Sequence, residues 1–286
     1  MSAYCRVTYE TVFDDELRVF VTTQLIKYVL FMRGQVPCLY DELLHLVERF
    51  RRKQHVDPLK IQSRLRVRGG LQEAVKCVEA AEQLFRGHLD AVFATQVKRV
   101  ALVFGSSTMS PREAFIVDFQ EVVTEKKDAD GCVSSTAPSP PHLDVTGASL
   151  EDSPTRILRP ARALSREKVM HLCAQKCMRA VSTHLMQHVS SALPATKLHV
   201  AVLAKRQPTR VAGFIPKQHF KLRLPNDKRG VRTHYVTICS KAACENDESM
   251  STEASADTSD SDMLWYVLEQ PIPGFSEVIS TRSSGQ

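Results

Sequence analysis

Residues 165–192 read SREKVMHLCAQKCMRAVSTHLMQHVSSA, and the spacing of their apolar side chains predicts one long amphipathic helix. Ser165 is a residue type that caps helix starts, and Pro194 follows the last predicted turn. On a helical wheel one broad side is apolar, formed by Val169, Cys173, Ala174, Cys177, Met178, Val181, Leu185 and Val189. We expect this side to cover a sheet.

The other side of the same helix carries polar residues and a second pattern. Leu172, Arg179 and Met186 recur at intervals of seven, so two apolar side chains flank an arginine within a polar stripe that also contains Gln175. Arginine and methionine are enriched in the centres of protein interfaces. Exposed leucine and methionine are also common on ordinary surfaces. The pattern therefore indicates either a partner-binding face or ordinary surface.

Cysteine and histidine side chains share one face of this helix at Cys173, Cys177, His184 and His188. At 1.5 Å per residue the outer two lie about 22 Å apart, so one straight helix cannot bring all four to one metal ion. The chain has no GxGxxG, P-loop or GxSxG motif. We therefore predict no catalytic residue, no metal and no cofactor. A small hydrolase or metal enzyme that uses this helix is the third-ranked hypothesis.

Outward from this helix, the chain predicts strands on both sides. VKRVALVFG, which ends at Gly105, is typical of a buried strand, and a turn at Ser110 and Pro111 leads into the alternating run AFIVDFQEVV. Four strand-like runs follow the helix, beginning at residues 197, 218, 231 and 263: KLHVAVLAK, QHFKLRL, VRTHYVTICS and MLWYVLE. Earlier in the chain, three amphipathic patterns predict helices over about 14–33, 39–50 and 71–93.

Two stretches rich in serine and acidic residues cannot bury enough apolar surface to fold. We predict that they are disordered insertions at about 124–160 and 243–262. The order of the remaining elements has no βαβ rhythm, which favours the α+β class. We expect a single domain over residues 12–275, with an antiparallel sheet covered by three main helices, and a flexible tail at 276–286.

Composition narrows the classes of function. The 286 residues are 43% hydrophobic, with no run of the roughly 20 apolar residues that a membrane span needs and no signal-peptide core near the start. The net charge is +6, but the basic residues are scattered and not interleaved with stacking aromatics. These features predict a protein of the cytosol or nucleus, with reduced cysteines, that contacts neither membrane nor nucleic acid.

Phe214 is a separate candidate, because it lies between Gly213 and Pro216 ahead of a predicted strand. Proline limits strand pairing and holds its neighbours at an edge or turn. Phe214 is therefore predicted either to pack in the core or to anchor a partner.

Four segments in order resemble the Comet adaptor family of the HORMA superfamily. Residues 20–43 resemble its first helix and the proline-containing link, and residues 99–119 resemble its strand, Ser-Pro turn and second strand. FIPKQHFKLRLP, from residue 214, is similar to its Phe-x-Pro-Lys segment, and LWYVLEQPIPGF, from residue 264, to its aromatic strand and Gly-Phe end.

The resemblance implies a HORMA fold whose helix at 165–192 pairs with the corresponding helix of the closed Mad-two spindle-checkpoint protein. It also implies delivery of that partner to a Pch-two-type AAA+ ATPase, which silences the checkpoint, with a location in nucleus and cytoplasm and at the spindle or kinetochore in mitosis. It places Phe214 on the family phenylalanine as a partner or ATPase contact, and Met32 at the end of the first helix, where the family is often more polar. The alternative is a HORMA protein that itself captures a partner peptide, as in meiosis or DNA repair.

Overall fold

A computed structural model describes residues 2–11, 13–56, 69–120, 165–185, 193–218, 220, 232–240 and 262–275. The helices are α1 (Asp15–Met32), α2 (Tyr40–Val56), α3 (Gly69–Gln83), α4 (Leu89–Phe93) and α5 (Arg166–Leu185), with a π-helical turn, Leu84–His88, between α3 and α4. The strands are β1 (Ser2–Tyr9), β2 (Val97–Ser107), β3 (Ser110–Gln120), β4 (Lys197–Lys205), β5 (Phe214–Lys217), β6 (Arg232–Ser240), β7 (Met263–Leu268) and β8 (Ile272–Pro273).

The strands form one sheet in the order β1-β6-β3-β2-β4-β7-β5, with β8 paired to β4 beyond this path. Strand β6 runs parallel to both β1 and β3, and the other pairs are antiparallel. The predicted antiparallel sheet is therefore wrong, because the sheet is mixed. Alternation of side chains reports which face a strand buries but not its direction. The chain between β3 and β6 is long enough for either direction.

The helices pack on one face of the sheet, which confirms the α+β class and is consistent with a HORMA-like domain. Strand β2 is apolar on both faces: Val100, Leu102 and Phe104 join the core shared with the helices, whereas Ala101 and Val103 join a smaller cluster on the other face. Since β2 lies in the middle of the sheet, this continuous apolar run is what a strand buried on both faces requires.

Helix boundaries agree with the predicted patterns in most places. Asp14 caps α1 by accepting a 3.0 Å hydrogen bond from the backbone N–H of Leu17, and Gly34, at φ +64°, follows its end. Helix α2 extends to Val56, beyond the predicted end near residue 50, and the helix predicted over 71–93 is divided by the π-helical turn with a kink at Gly87. The two predicted insertions (except Asp262), the tail at 276–286 and nearly all of QHFKLRL lie outside the described residues.

The end of α1 is tied to the sheet by buried charges. Arg33 donates to Glu113 over 2.7 Å, and Nε2 of His234 lies 2.6 Å from the same carboxylate, with all three side chains nearly inaccessible to solvent. Glu113 and His234 stand on the adjacent strands β3 and β6. A buried carboxylate needs such partners to offset its desolvation, so the triad holds the end of α1 in one place.

The link after α1 binds the last described residues of the chain. Buried Gln35 accepts a 2.8 Å hydrogen bond from the backbone N–H of Thr196, and its backbone carbonyl accepts one of 2.8 Å from Phe275. A Cβ on Gly274 would lie only 2.4 Å from the Gln35 side-chain oxygen. Only glycine fits this close approach, so the Gly-Phe pair fixes the last described residues to the link.

None of the described helices is both long and apolar enough to cross a lipid bilayer.

Candidate partner-binding site

The apolar side of α5 is buried as its periodicity predicts. Cys173, Ala174, Cys177 and Val181 are buried, while Val169 and Met178 pack at the margin of the core. The side chain of Leu185 and the whole of Val189 lie outside the described residues. Helix α5 makes its main contacts with α1 and with β1. Its inner side thus seals the end of the sheet where β1 lies.

The opposite side of α5 faces solvent at the predicted positions. Leu172 keeps 52% of its surface accessible, and Gln175 and Arg179 are also exposed. The three side chains therefore lie on the outer face of one helix whose inner face is buried, and we call them the α5 face. Met186, the fourth predicted residue, lies outside the described residues.

Helix α5 is anchored at its start by charges from the beginning of α1. The Arg166 guanidinium contacts the carboxylate of Asp14 and lies 3.3 Å from that of Glu16. Partial burial alone would raise the pKa of Asp14. The hydrogen bonds from Arg166 and from the Leu17 N–H, together with the positive charges of Arg166 and Arg18, lower it below its usual value. The Asp14 carboxylate thus serves two helices at once.

Helices α1 and α5 run side by side in the same direction. Further along both helices from the charged pair, the rings of Phe20 and His171 meet edge to face at 5.0 Å. Since the contacts advance together along both chains, the end of α1 lies on the side of the C-terminal half of α5. Met32 is the last residue of α1 and so lies toward the C-terminal half of α5.

The end of α1 presents more exposed apolar surface than Met32 alone. Met32 is half-buried, whereas Phe31 before it is 37% exposed and Leu39, just before α2, is 53% exposed. The sequence patterns did not identify Phe31 and Leu39 as exposed apolar residues. A signal existed, because apolar residues occur on all sides of α1, including the partly accessible Val19 and Phe20, and a helix of that kind needs cover on more than one side.

Phe214 is not a surface residue. Its side chain is fully buried in the main core, although β5 lies at the edge of the sheet. The role of partner anchor is therefore wrong for this side chain, and the alternative of core packing is correct. The three residues that follow it in β5 are all exposed, and Ile215 keeps 41% of its surface accessible.

The two cysteines of α5 pack in the core of the domain. Cys173 and Cys177 are buried on the inner face. Burial, with a smaller effect from nearby Cys5, raises the pKa of Cys177 to about 12, so its thiol stays protonated at neutral pH and is a poor nucleophile and metal ligand. The side chain of His184 and the whole of His188 lie outside the described residues. In the described part of the chain no three His, Cys, Asp or Glu side chains are grouped to hold a metal.

The fold and the α5 face define a HORMA-like domain that carries an amphipathic helix with an open outer side. Residues 5–138 match the family model of p31comet, described as Mad1 and Cdc20-bound-Mad2 binding. The matched residues include most of β1 and all of β2, β3 and α1 to α4, and the match confirms the resemblance to the Comet adaptors. Helix α5 lies beyond the matched residues. No curated protein matches the chain.

Proposed function

We propose that this chain is an adaptor that binds the closed conformer of Mad2 through the α5 face. The observation that carries the proposal is the exposure of Leu172, Gln175 and Arg179 on a helix whose other side is buried. The family description supplies the partner, because it names Mad1 and Cdc20-bound Mad2. The chain's own role is recognition, and it needs no catalytic group.

The chemistry of the α5 face suits a helix-to-helix contact. Leu172 offers an apolar side chain that gains free energy when a partner covers it, and Arg179 offers five N–H donors on a planar group that pairs with carboxylates. Arginine is among the residue types enriched in the small set that dominates the binding energy of an interface. Phe31 and Met32 at the end of α1 would widen the contact. Phe214 is excluded from it by its burial.

We further propose that the adaptor presents Mad2 to a Pch-two-type AAA+ ATPase and so promotes checkpoint silencing in mitotic cells, in the nucleus and cytoplasm and at the spindle or kinetochore. The support for this step is the resemblance to the Comet adaptors. The chain has no P-loop motif, and on this proposal ATP hydrolysis belongs to the partner. Stimulation of Mad2 opening by the purified ATPase, with and without this protein, tests the step directly.

The alternative function, capture of a partner peptide by the domain itself, gains no support from the sheet. A peptide that paired with the edge of β4 opposite β2 would meet β7 and β8 of the same chain, which already pair with that edge. Three side chains of β7 are buried in the main core, namely Leu264, Tyr266 and Leu268. A peptide at this edge would have to displace them.

A double variant tests the α5 face. Leu172→Ala with Arg179→Glu removes the apolar contact and reverses the charge on exposed positions, so the fold should be retained. If each side chain contributes about 1–2 kcal/mol to binding, affinity for closed Mad2 should fall about 30- to 1,000-fold. Binding is measured by titration with purified closed Mad2, and open Mad2 serves as the conformer control.

A matched control comes from the turn between β2 and β3 and from the start of β3. Met109 is 68% exposed and Arg112 is exposed, so Met109→Ala with Arg112→Glu makes the same kind of change away from α5. This control should bind closed Mad2 as the unaltered protein does. Equal affinity of the α5 double variant and the control would reject the proposed face.

A further inference from the structure

Strand β1 is the outermost strand on its side of the sheet, and its only strand neighbour among the described residues is β6. Its side chains alternate between the faces of the sheet. Ala3, Cys5, Val7 and Tyr9 are buried toward the helices, whereas Tyr4 is 71% exposed on the other face. The apolar row of β1 lies where α5 crosses the sheet.

Tyr9 bonds directly to the backbone of α5. Its hydroxyl donates a 2.9 Å hydrogen bond to the main-chain carbonyl of Cys173 in a buried setting. Burial first, and then the neighbouring thiols of Cys177 and Cys173, raise the pKa of Tyr9 far above its ordinary value. The phenol therefore remains protonated as a donor at every physiological pH.

A second contact runs in the opposite direction, from α5 to β1. The Lys176 ammonium donates a 2.6 Å hydrogen bond to the backbone carbonyl of Thr8 and lies 5.4 Å from the centre of the Tyr9 ring. Lys176 and Cys173 are three residues apart and so lie on one side of the helix. Together these contacts fix both the height and the rotation of α5 about its axis.

The rotation matters because successive residues of a helix are turned by about 100°. Leu172 is adjacent in sequence to Cys173, and Gln175 is adjacent to Lys176. Any turn of the helix at its contacts with β1 redirects the α5 face. Most of the stability of a helix in a protein comes from the packing of its apolar face, so α5 depends on the elements it packs against, which are chiefly α1 and β1.

We propose that β1 is a positioning strap, which holds α5 in the one orientation that presents the α5 face, and that Tyr9 is its principal positioning residue. The strap orients the proposed binding site, so the inference rests on the proposed function for the identity of the partner. The placement of α5 itself can be measured without the partner.

The experiment compares two tyrosines of the same strand. Tyr9→Ala removes the ring and the hydroxyl that hold α5, and Tyr4→Ala removes an exposed ring on the opposite face. Hydrogen exchange is followed in α5 and in the central strand β2. Tyr9→Ala should accelerate exchange in α5 at least tenfold while β2 changes much less, and Tyr4→Ala should leave α5 unchanged. Tyr9→Phe, which loses one hydrogen bond worth about 1 kcal/mol, should accelerate α5 about fivefold.

A variant without residues 2–9 then tests the strap by complementation. It should bind closed Mad2 at least tenfold more weakly, because α5 occupies its binding orientation for a smaller fraction of the time. A synthetic peptide of residues 2–11 added in excess should restore both the protection of α5 and the affinity, which a general loss of stability would not allow.

Unchanged α5 exchange in Tyr9→Ala, or equal acceleration in α5 and β2, would overturn the inference. If the shortened variant does not fold, the pair Tyr9→Phe and Tyr4→Phe decides by the same exchange readout. If the unaltered protein does not bind Mad2, the proposed function fails, and the exchange data still decide whether β1 positions α5.

Discussion

At the scale of single residues, burial separates side chains that look alike in the sequence. Phe214 and Ile215 are adjacent apolar residues at the start of an edge strand, yet the first is fully buried and the second is 41% exposed. Phe31 and Leu172 are apolar residues of helices that keep 37% and 52% of their surfaces accessible. The exposed side chains of Ile215, Phe31 and Leu172 can be covered by a partner, whereas the buried side chain of Phe214 stabilises the fold.

Phe214→Ala should therefore destabilise the protein without acting on a partner surface. Loss of a fully buried phenylalanine side chain costs about 3–5 kcal/mol of unfolding free energy, because apolar contacts are lost and a cavity remains. Ile215→Ala at the next position should cost less than about 1 kcal/mol. Urea denaturation of both variants makes the comparison. A loss for Phe214→Ala no larger than that for Ile215→Ala would contradict the buried placement.

Sequence periodicity is sufficient to predict that Leu172, Gln175 and Arg179 are exposed, because a long helix that buries one apolar side turns its other side to solvent. Periodicity does not predict the burial of Phe214, since a strand of four residues is too short to show which side chains face the core. The exposure of Phe31 depends on which sides of α1 the rest of the fold covers, and that is a property of tertiary packing.

At the scale of elements, the start of α1 and the start of α5 form one unit around Asp14. The carboxylate caps α1 through the Leu17 N–H and contacts Arg166 of α5. The two functions are separable, because asparagine can cap a helix but carries no charge. Asp14 is therefore the place to measure how firmly α5 is anchored.

Asp14→Asn should cost roughly 0.2–1 kcal/mol at neutral pH, since the ion pair is about half exposed. Asp14→Ala should cost about 0.5–2 kcal/mol more, because the helix cap is lost as well. The pKa of Asp14 is lowered in the folded protein, so its charge stabilises the fold above its unfolded pKa of about 3.9 and stops doing so as the pH falls through the lower folded value.

The stability difference between the unaltered protein and Asp14→Asn should accordingly be constant from about pH 5 to 7 and shrink below pH 4. Denaturation midpoints across this range, at low and high salt, measure it. A difference that persists undiminished at pH 2 would show that charge is not the source of the effect.

Which elements exist was predictable wherever a pattern was long. Helices α1 and α5 and strand β2 each extend over more than ten residues, with buried apolar residues at helical spacing in the two helices and a continuous apolar run in β2. Strand β1 was missed, although Ala3, Cys5, Val7 and Tyr9 alternate, because nothing next to it in the chain pairs with it. Its partner β6 is more than 200 residues away in sequence, and so distant a pairing leaves no local signal.

At the scale of the whole molecule, β7 lies between β4 and β5 near one edge of the sheet. Strand β7 pairs with β4 on one side and with β5 on the other, both antiparallel, and its inward side chains belong to the main core. The hydroxyl of Tyr266 in β7 also accepts a 2.9 Å hydrogen bond from the backbone N–H of Gln207. A peptide that paired with β4 in place of β7 would therefore have to displace a strand held on both edges and one face.

Native-state hydrogen exchange can distinguish a closed adaptor from a peptide-capturing domain. If β7 is an integral strand, its amides should exchange only by global unfolding, with the same opening free energy as those of the central strand β2. A domain that exchanges its last strands for a peptide must release β7 at lower cost, so β7 would open independently of β2. Equal slopes of opening free energy against urea for the two strands are expected, with β5 at the sheet edge as an internal reference. A lower, urea-insensitive opening confined to β7 would favour peptide capture and count against the adaptor.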